Sequence, residues 1–273
     1  MNINVTKLIY FSPTGTTKMV VKAIAQGTGI ATVEHVDLTP PGAQTLNFSE
    51  MHDELAIIGS PVYSGRLPID AISRLQRLKG NDTPAVIVVA YGNRAYEDAL
   101  LELRDLALRS GFKPVAAGAF IGEHSYSSNT TPVAVGRPDV DDLRKAEEFG
   151  MIIREKIGKL LAFAQIPPLQ VPGNFPYKEG GTLSNISPIT VQETCIKCGE
   201  CASVCPTAAI TVRDTTVTDQ SVCIRCCACI KTCPTGARRM EDPRIRQVTE
   251  QLSINCRERK EPEMYFCKKE ANL

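Results

Sequence analysis

The N-terminal part of the chain alternates short, continuous apolar runs with longer stretches of helical periodicity. Five such runs lie at 8–11, 32–38, 55–58, 85–89 and 115–121, the second being the weakest. Runs that are apolar at nearly every position are typical of strands covered by helices on both faces. The pattern therefore predicts an α/β domain over residues 1–165, with a doubly wound, parallel five-stranded sheet.

Helical patterns fall between these runs. Residues 18–26 and 97–110 are expected to form helices that end at Gly27 and Gly111, because glycine is common just after the last helical residue. A third helix is predicted to begin near Pro138, with acidic residues in its first turn that favour a helix N-terminus. Its core-facing stripe comprises Leu143, Ala146, Ile153, Ile157 and Leu160.

Proline and glycine interrupt the helical pattern after residue 165. The segment IPPLQVPGNFPYKEGG begins an expected linker over 166–187, followed by a second domain over 188–245 and a tail over 246–273. From Pro243, the apolar residues Ile245, Val248 and Leu252 have helical spacing. This helix is predicted to dock the second domain against the first, with an outside partner as the alternative.

The composition narrows the class of protein. The net charge is +1, and basic and acidic residues are interspersed, which gives no sign of nucleic-acid binding. The N-terminus has no apolar signal region, and no segment approaches 18 uninterrupted apolar residues. We therefore expect a cytoplasmic protein without a membrane span. In a reducing compartment, closely spaced cysteines indicate metal binding rather than disulfides.

All eleven cysteines lie at or after position 195, and eight of them form an internal repeat, CIKCGECASVCP and CIRCCACIKTCP. This C-x-x-C-x-x-C-x-x-x-C-P spacing is that of bacterial two-cluster iron–sulfur proteins, in which the last cysteine of each motif binds the neighbouring 4Fe-4S cluster. Cluster one is therefore assigned Cys195, Cys198, Cys201 and Cys233. Cluster two is assigned Cys223, Cys226, Cys229 and Cys205.

Zinc is the alternative for the cysteine repeat. A structural zinc site built from the two C-x-x-C pairs would leave four cysteines without a role. Cys227 aligns with Gly199 in the first motif and is surplus to both ligand sets. We interpret it as a packed thiol, with a substitute ligand or redox-active thiol as the alternative. Cys256 and Cys267 fit no ligand spacing and are treated as structural or free.

A second cofactor is predicted where the first strand passes into the first helix. The loop there contains the candidate binding residues Ser12, Thr14, Gly15, Thr16 and Thr17. Backbone N–H groups and hydroxyls that converge at a helix N-terminus bind phosphate. The loop lacks the Gly-Lys-Ser/Thr ending of a P-loop and the three glycines of a dinucleotide fingerprint.

Over residues 4–163, the S/T-x-T-G-x-T loop after an apolar strand resembles the FMN phosphate loop of flavodoxins. Two further loops that follow the third and fourth strands resemble the segments that flank the flavin, with Tyr63 and Tyr96 as candidates to stack on its faces. Their candidate residues are Ser60, Pro61, Val62, Tyr63, Ser64 and Gly65, then Tyr91, Gly92, Asn93, Arg94 and Tyr96. Open α/β sheets bind ligands at the carboxyl ends of their strands, where all three loops fall.

As a whole, the chain resembles flavodoxin–ferredoxin fusion proteins. The resemblance implies a flavodoxin-like domain with FMN, and a small α+β ferredoxin-like domain with two 4Fe-4S clusters. It implies an electron-transfer adaptor between redox proteins. The alternative is a flavin-dependent reductase of a small molecule fed by the clusters.

His124 and Tyr126 follow the fifth strand and would favour the reductase if they lined an open cavity beside the flavin. His124 is otherwise interpreted as a surface or capping residue. A regulatory sensor is a third hypothesis, and the flavin loops argue against it.

Overall fold

A computed structural model of the chain describes residues 3–158, 167–180 and 185–267. Its N-terminal part alternates strands and helices along the chain. In order, they are β1 (Val5–Tyr10), α1 (Thr16–Thr28), β2 (Thr32–Asp37), β3 (Leu55–Pro61), α2 (Ile69–Leu75), β4 (Thr83–Tyr91), α3 (Ala99–Arg109), β5 (Phe112–Ile121) and α4 (Val140–Gly158).

The five predicted strands form one parallel sheet in the order β2-β1-β3-β4-β5. This is the strand order of flavodoxin-like doubly wound folds, so the predicted fold class is confirmed. The order reverses between β1 and β3, and ligands bind such sheets outside the carboxyl ends of the strands at that point. Every residue of β4 is buried, as the continuous apolar run predicted.

The second region begins with β6 (Ile189–Thr190) and contains two pairs of short strands and two short helices. The remaining elements are α5 (Glu200–Ser203), β7 (Ile210–Val212), β8 (Thr216–Thr218), α6 (Ala228–Lys231), β9 (Arg238–Arg239), α7 (Pro243–Asn255) and β10 (Glu263–Phe266). β6 pairs with β9 and β7 pairs with β8, both antiparallel. The helices α5 and α6 each begin within one cysteine motif, which reflects the internal repeat.

The tail returns to the first domain and extends its sheet. β10 pairs antiparallel with β5, with Tyr265 opposite Ala117, so the sheet has six strands. The Tyr96 hydroxyl donates to Glu263 Oε2 at 2.9 Å and lies 2.8 Å from the Tyr265 hydroxyl. The sequence did not predict this strand. An edge strand made of the tail covers backbone groups of β5 that would otherwise be unpaired.

The predicted end of the first helix at Gly27 is wrong. α1 continues through Gly27 and ends at Gly29, which has the left-handed conformation (φ 63°) of a C-terminal cap. A Cβ at Gly27 would lie 1.9 Å from the carbonyl oxygen of Glu147 in α4. The glycine therefore permits close packing of two helices rather than a helix end.

Residues 167–180, which belong to the expected linker, lie against α3 and the loop before it. Leu169 is buried, and the Tyr177 hydroxyl donates to Asp105 Oδ2 at 2.6 Å. The Lys178 N–H donates to Asp98 Oδ2 at 2.7 Å. We call residues 167–180 the strap. The expected helix residue Leu160 and linker residues 166 and 181–184 lie outside the described residues, and the predicted domain boundaries stay a prediction.

Arg74 connects the two regions of the molecule. Its fully buried side chain donates from Nη1 to the carbonyl oxygens of Leu38 (2.7 Å), Thr39 (2.7 Å) and Pro40 (3.2 Å), and from Nη2 to that of Pro206 (2.7 Å). Pro206 directly follows Cys205 of the first cysteine motif. One guanidinium group thus fixes the cysteine-rich region against the flavodoxin-like part.

Candidate flavin and iron–sulfur sites

The loop between β1 and α1 has the geometry of a phosphate nest. Gly15 adopts φ 82°, which lets the backbone turn into the helix, and the Lys18 N–H donates to Ser12 Oγ at 3.0 Å. The Thr17 hydroxyl is buried and finds no hydrogen-bond partner among the residues that the structure describes. A buried hydroxyl without a partner at a helix N-terminus fits a phosphate oxygen as its missing partner.

A cavity of about 490 Å³ lies at the carboxyl ends of the parallel strands, within the usual range for small-molecule sites. Eleven of the sixteen predicted flavin-site residues line it. They are Ser12, Thr14, Thr16, Thr17, Pro61, Val62, Tyr63, Ser64, Tyr91, Gly92 and Arg94. The three loops predicted from the sequence therefore meet at one site that can accommodate a flavin.

The other five predicted residues are not among the residues that line the cavity. They are Gly15, Ser60, Gly65, Asn93 and Tyr96. Asn93 instead donates from Nδ2 to the carbonyl oxygens of Cys256 (2.8 Å) and Glu258 (2.9 Å), and Tyr96 is buried against the tail strand. Asn93 and Tyr96 therefore hold the tail in this structure.

Part of the cavity wall comes from segments distant in sequence. Lys178 and Glu179 of the strap line it, together with Ile224 and Arg225 of the second cysteine motif, and Val248 and Leu252 of α7. Lys178, Glu179, Ile224 and Arg225 were not predicted from the sequence to lie at this site. The apolar spacing of α7 indicated a docking helix, but it gave no sign that this helix borders the cavity.

His124, Tyr126 and Tyr63 give the cavity its polar character. Burial, with Arg94 and Lys231 nearby, lowers the pKa of His124 to about 4. Its Nδ1 accepts the Tyr126 N–H at 3.1 Å, so the neutral imidazole carries its proton on Nε2. Burial raises the pKa of Tyr126 to about 12 and that of Tyr63 well above its ordinary value. All three side chains are uncharged at neutral pH.

The eight repeat cysteines line two cavities in two groups of four. Cys195, Cys198, Cys201 and Cys233 line one, and Cys205, Cys223, Cys226 and Cys229 line the other, which Cys227 also lines. The two cavities are equal in size, as expected of a repeat. The last cysteine of each motif lines the cavity of the other motif, which is the grouping that the spacing predicted.

Each cysteine cavity offers thiolate donors to a metal group. Within residues 3–158, 167–180 and 185–267, no three His, Cys, Asp or Glu side chains converge as they would around a single metal ion. A four-iron cluster instead holds its thiolates apart on the corners of a cube. The four repeat cysteines that line each cavity fit the donor set of an iron–sulfur cluster.

The three remaining cysteines differ in their surroundings. Cys227 is buried at 2% exposure, and burial raises the pKa of its thiol well above the ordinary value. It lies directly before α6 with φ 60°. Cys256 follows the last residue of α7, and Cys267 packs against the core beside β5. Neither Cys256 nor Cys267 lines the cluster cavities.

No helix in the described part of the chain is long and apolar enough to cross a membrane.

Comparisons with known proteins agree with this division of the chain. Residues 194–237 match the 4Fe-4S dicluster domain family. No curated protein sequence matches the chain.

Solved structures, flavodoxins among them, are similar to the N-terminal part. An archaeal flavodoxin is 14% identical, with 56% of this chain and 99% of that chain covered and a TM-score of 0.38. A WrbA-like flavodoxin from Agrobacterium tumefaciens is 14% identical, with 57% and 98% covered and a TM-score of 0.39. Rubredoxin:oxygen oxidoreductase from Desulfovibrio gigas is 15% identical, with 58% and 37% covered and a TM-score of 0.39.

The strand order places the N-terminal part among flavodoxin-like folds, and the family match identifies the cysteine-rich region. These two features support an electron-transfer redox protein with an iron–sulfur group and a flavin, whose redox partners are unidentified. The chain thus combines a flavodoxin-like fold with a 4Fe-4S dicluster domain, an organisation consistent with a flavodoxin–ferredoxin fusion.

Proposed function

We propose that the protein is an electron carrier that holds two 4Fe-4S clusters and one FMN in series, between low-potential redox proteins. One observation carries this proposal: Ile224 lines both the flavin cavity and the cavity of cluster two. Ile224 lies between the proposed ligands Cys223 and Cys226. One side chain therefore forms a wall common to the two cavities, and electrons can pass between them inside the molecule.

The other residues have supporting roles in this arrangement. The nest of Ser12, Thr14 and Thr17 would hold the phosphate, and Tyr63 would lie against the flavin ring. Iron–sulfur clusters transfer electrons singly and a flavin accepts one or two, so together they supply the means to collect single electrons and deliver pairs. Cys198 is exposed, so cluster one is the one that an outside protein donor can approach.

A small-molecule reductase is the second candidate function, because His124 and Tyr126 line the flavin cavity. Their ionisation argues against it. A general acid works best when its pKa lies near the operating pH, whereas the pKa of His124 is about 4 and that of Tyr126 about 12. Neither side chain is a good proton donor at neutral pH, and so we favour the carrier.

The carrier proposal is tested first by composition. Protein purified without oxygen should contain about eight irons and one FMN per chain, since each cluster has four irons. Iron, sulfide and flavin assays, followed by EPR at controlled potentials, measure this. Stoichiometric zinc with little iron would exclude the proposal.

The flavin site is tested by a matched pair of glycines at the two ends of α1. Gly15 and Gly29 both have positive φ (82° and 63°), and no atom lies within 4 Å of a Cβ at either position. Valine strains the backbone at both, but only position 15 lies in the nest. Gly15→Val should therefore lose the flavin and keep its iron, and Gly29→Val should keep both.

The same Gly15→Val protein tests the direction of electron flow. It should still accept electrons from a low-potential donor but fail to reduce two-electron acceptors that the parental protein reduces. Full activity with two-electron acceptors would show that electrons do not leave through the flavin.

The reductase is tested with Tyr126→Phe. A reductase that uses this hydroxyl should lose turnover with its small-molecule acceptor, while a carrier should pass electrons to a one-electron acceptor unchanged.

A further inference from the structure

Arg238 lies between the two cluster cavities. Its side chain lines both of them, together with Cys201 and Cys233 on one side and Cys229 on the other. The residue is 2% exposed, whereas the next residue, Arg239, is exposed. β9 therefore directs one arginine into the space between the cavities and leaves its neighbour in solvent.

The guanidinium group of Arg238 is held in place by neutral groups. Nη2 donates to Thr218 Oγ1 at 2.7 Å and to the Pro188 carbonyl oxygen at 3.2 Å, and Nη1 donates to Thr190 Oγ1 at 2.5 Å. Nη2 also lies 3.7 Å from the Sγ of Cys229, a proposed ligand of cluster two. These contacts fix the positive charge against a cluster ligand.

The counter-charge of Arg238 is missing from the residues around it. In the part of the chain that the structure describes, no Asp or Glu carboxylate lies within 4.0 Å of its guanidinium, and its buried Nε has no hydrogen-bond partner. A buried cation without an anion is strongly destabilising. Two cavities that each hold four thiolates, and hence a net negative cluster, supply anions on both sides of Arg238.

We propose that Arg238 is an electrostatic bridge between the two clusters that stabilises the reduced state of each one. The inference rests on the proposed two-cluster function. Reduction adds one electron to a cluster and breaks no bond, so the cluster becomes more negative. A fixed cation nearby stabilises the more negative state. Because Arg238 borders both cavities, it also offsets the repulsion between the two added electrons.

Three variants of the anaerobically purified holoprotein test this role. Arg238→Gln removes the charge and keeps a hydrogen-bond donor, Arg238→Lys keeps the charge, and Arg239→Met removes the neighbouring exposed charge as a control. Iron and sulfide are assayed first, and each cluster is then titrated with EPR detection.

At the potential where the parental clusters are half reduced, Arg238→Gln should lower the ratio of reduced to oxidised cluster at least tenfold, or about 59 mV for one electron. Both clusters should shift, Arg238→Lys should retain most of the parental potential, and Arg239→Met should not change it. A ratio of reduced to oxidised cluster in Arg238→Gln within twofold of the parental ratio would overturn the proposal.

Loss of the clusters has an equally definite meaning. If Arg238→Gln loses iron while Arg238→Lys keeps it, the positive charge holds the clusters and the proposal stands. If Arg238→Lys loses iron as well, Arg238 is a structural residue and the proposal fails. Parental protein without about eight irons would instead refute the two-cluster function itself.

Discussion

The two cysteine motifs have the same backbone conformation but lie in different surroundings. Lys197 and Arg225, at equivalent positions, both have φ 55°, and the following α5 and α6 are both four-residue helices. Ile196, however, is 65% exposed, whereas its counterpart Ile224 packs against the flavodoxin-like core. Ligand spacing therefore sets the shape of each cavity, and the residues between the ligands decide what each cavity faces.

In the proposed relay, this difference would set the order of the cofactors. Cys198 of cluster one is exposed, whereas its counterpart Cys226 is 8% exposed and lies beside the flavin cavity wall. The second cysteine motif is also fixed to the flavodoxin-like part by an ion pair between Lys231 Nζ and Glu123 Oε1 (2.6 Å). In the proposed carrier, cluster one would therefore be suited to outside partners and cluster two to the flavin. Variants at equivalent positions of the repeat can test this asymmetry.

The largest effect is expected from the equivalent ligands Cys198 and Cys226. Alanine at either position should remove about four of the eight irons, because each cluster then lacks a thiolate. Metal ligation supports local folding, so loss of cluster two should also disorder the cavity wall formed by Ile224 and Arg225. Cys226→Ala should therefore weaken flavin binding, and Cys198→Ala should not.

Iron analysis and flavin titration of the two cysteine variants check this prediction. Cys205→Ala should behave like Cys226→Ala, since Cys205 lines the cavity of cluster two. Equal flavin affinity in Cys198→Ala and Cys226→Ala would mean that the two clusters do not differ in their relation to the flavin.

A second, smaller effect is expected at Arg74, which holds Pro206 next to the ligand Cys205. Arg74→Met would leave four carbonyl oxygens without this donor, two of them in buried hydrogen bonds, and we expect a loss of about 2–4 kcal/mol in the free energy of unfolding. Urea unfolding followed by circular dichroism measures it. Arg77→Met, on the exposed face of the same segment, is the control and should change stability by less than about 0.5 kcal/mol. Similar losses in both variants would contradict the anchoring role.

The sequence predicted the cluster sites better than the flavin site for a physical reason. The eight proposed ligands lie in two short motifs of fixed spacing, and the proposed crossing of Cys205 and Cys233 follows from that type of motif. The three loops of the flavin cavity were predicted because parallel strands bring their carboxyl ends to one edge. Lys178, Ile224 and Arg225 reach the cavity through tertiary contacts that no local pattern encodes.

Tyr96 was predicted to lie at the flavin site, but its tertiary contacts place it elsewhere. Its position after β4 gave it the features of a flavin-stacking residue. The tail strand β10 offers it Glu263 and Tyr265 as hydrogen-bond partners, and this pairing depends on residues more than 160 positions away. A side chain at the correct strand end can thus be directed away from the cavity by a distant element.

A third prediction compares Ile224 with Ile196. Ile224→Ala should lower the free energy of unfolding by about 1–3 kcal/mol, because a partly buried side chain leaves the wall between two cavities. It should also weaken flavin binding. Ile196→Ala should change stability by less than about 0.5 kcal/mol, because Ile196 is largely exposed. Urea unfolding and flavin titration separate the two variants, and equal effects would remove the structural basis of the asymmetry.

The smallest effect is expected where the repeat itself differs, at Cys227 and Gly199. Both positions have a left-handed backbone, with φ 60° at Cys227 and 86° at Gly199. Glycine at position 227 should relieve about 1–2 kcal/mol of backbone strain. It also removes a buried thiol that packs as a small hydrophobic group, at a similar cost of about 1–2 kcal/mol.

The two terms oppose each other, so Cys227→Gly should keep both clusters and change the free energy of unfolding by less than about 1 kcal/mol. In the first motif, Gly199→Ala gains no packing, because no atom lies within 4 Å of a Cβ at this position. It should cost about 1 kcal/mol of stability through backbone strain alone. Urea unfolding, iron analysis and EPR of both variants measure these effects. Loss of cluster two in Cys227→Gly would show that Cys227 serves as a ligand and is not only a packed thiol.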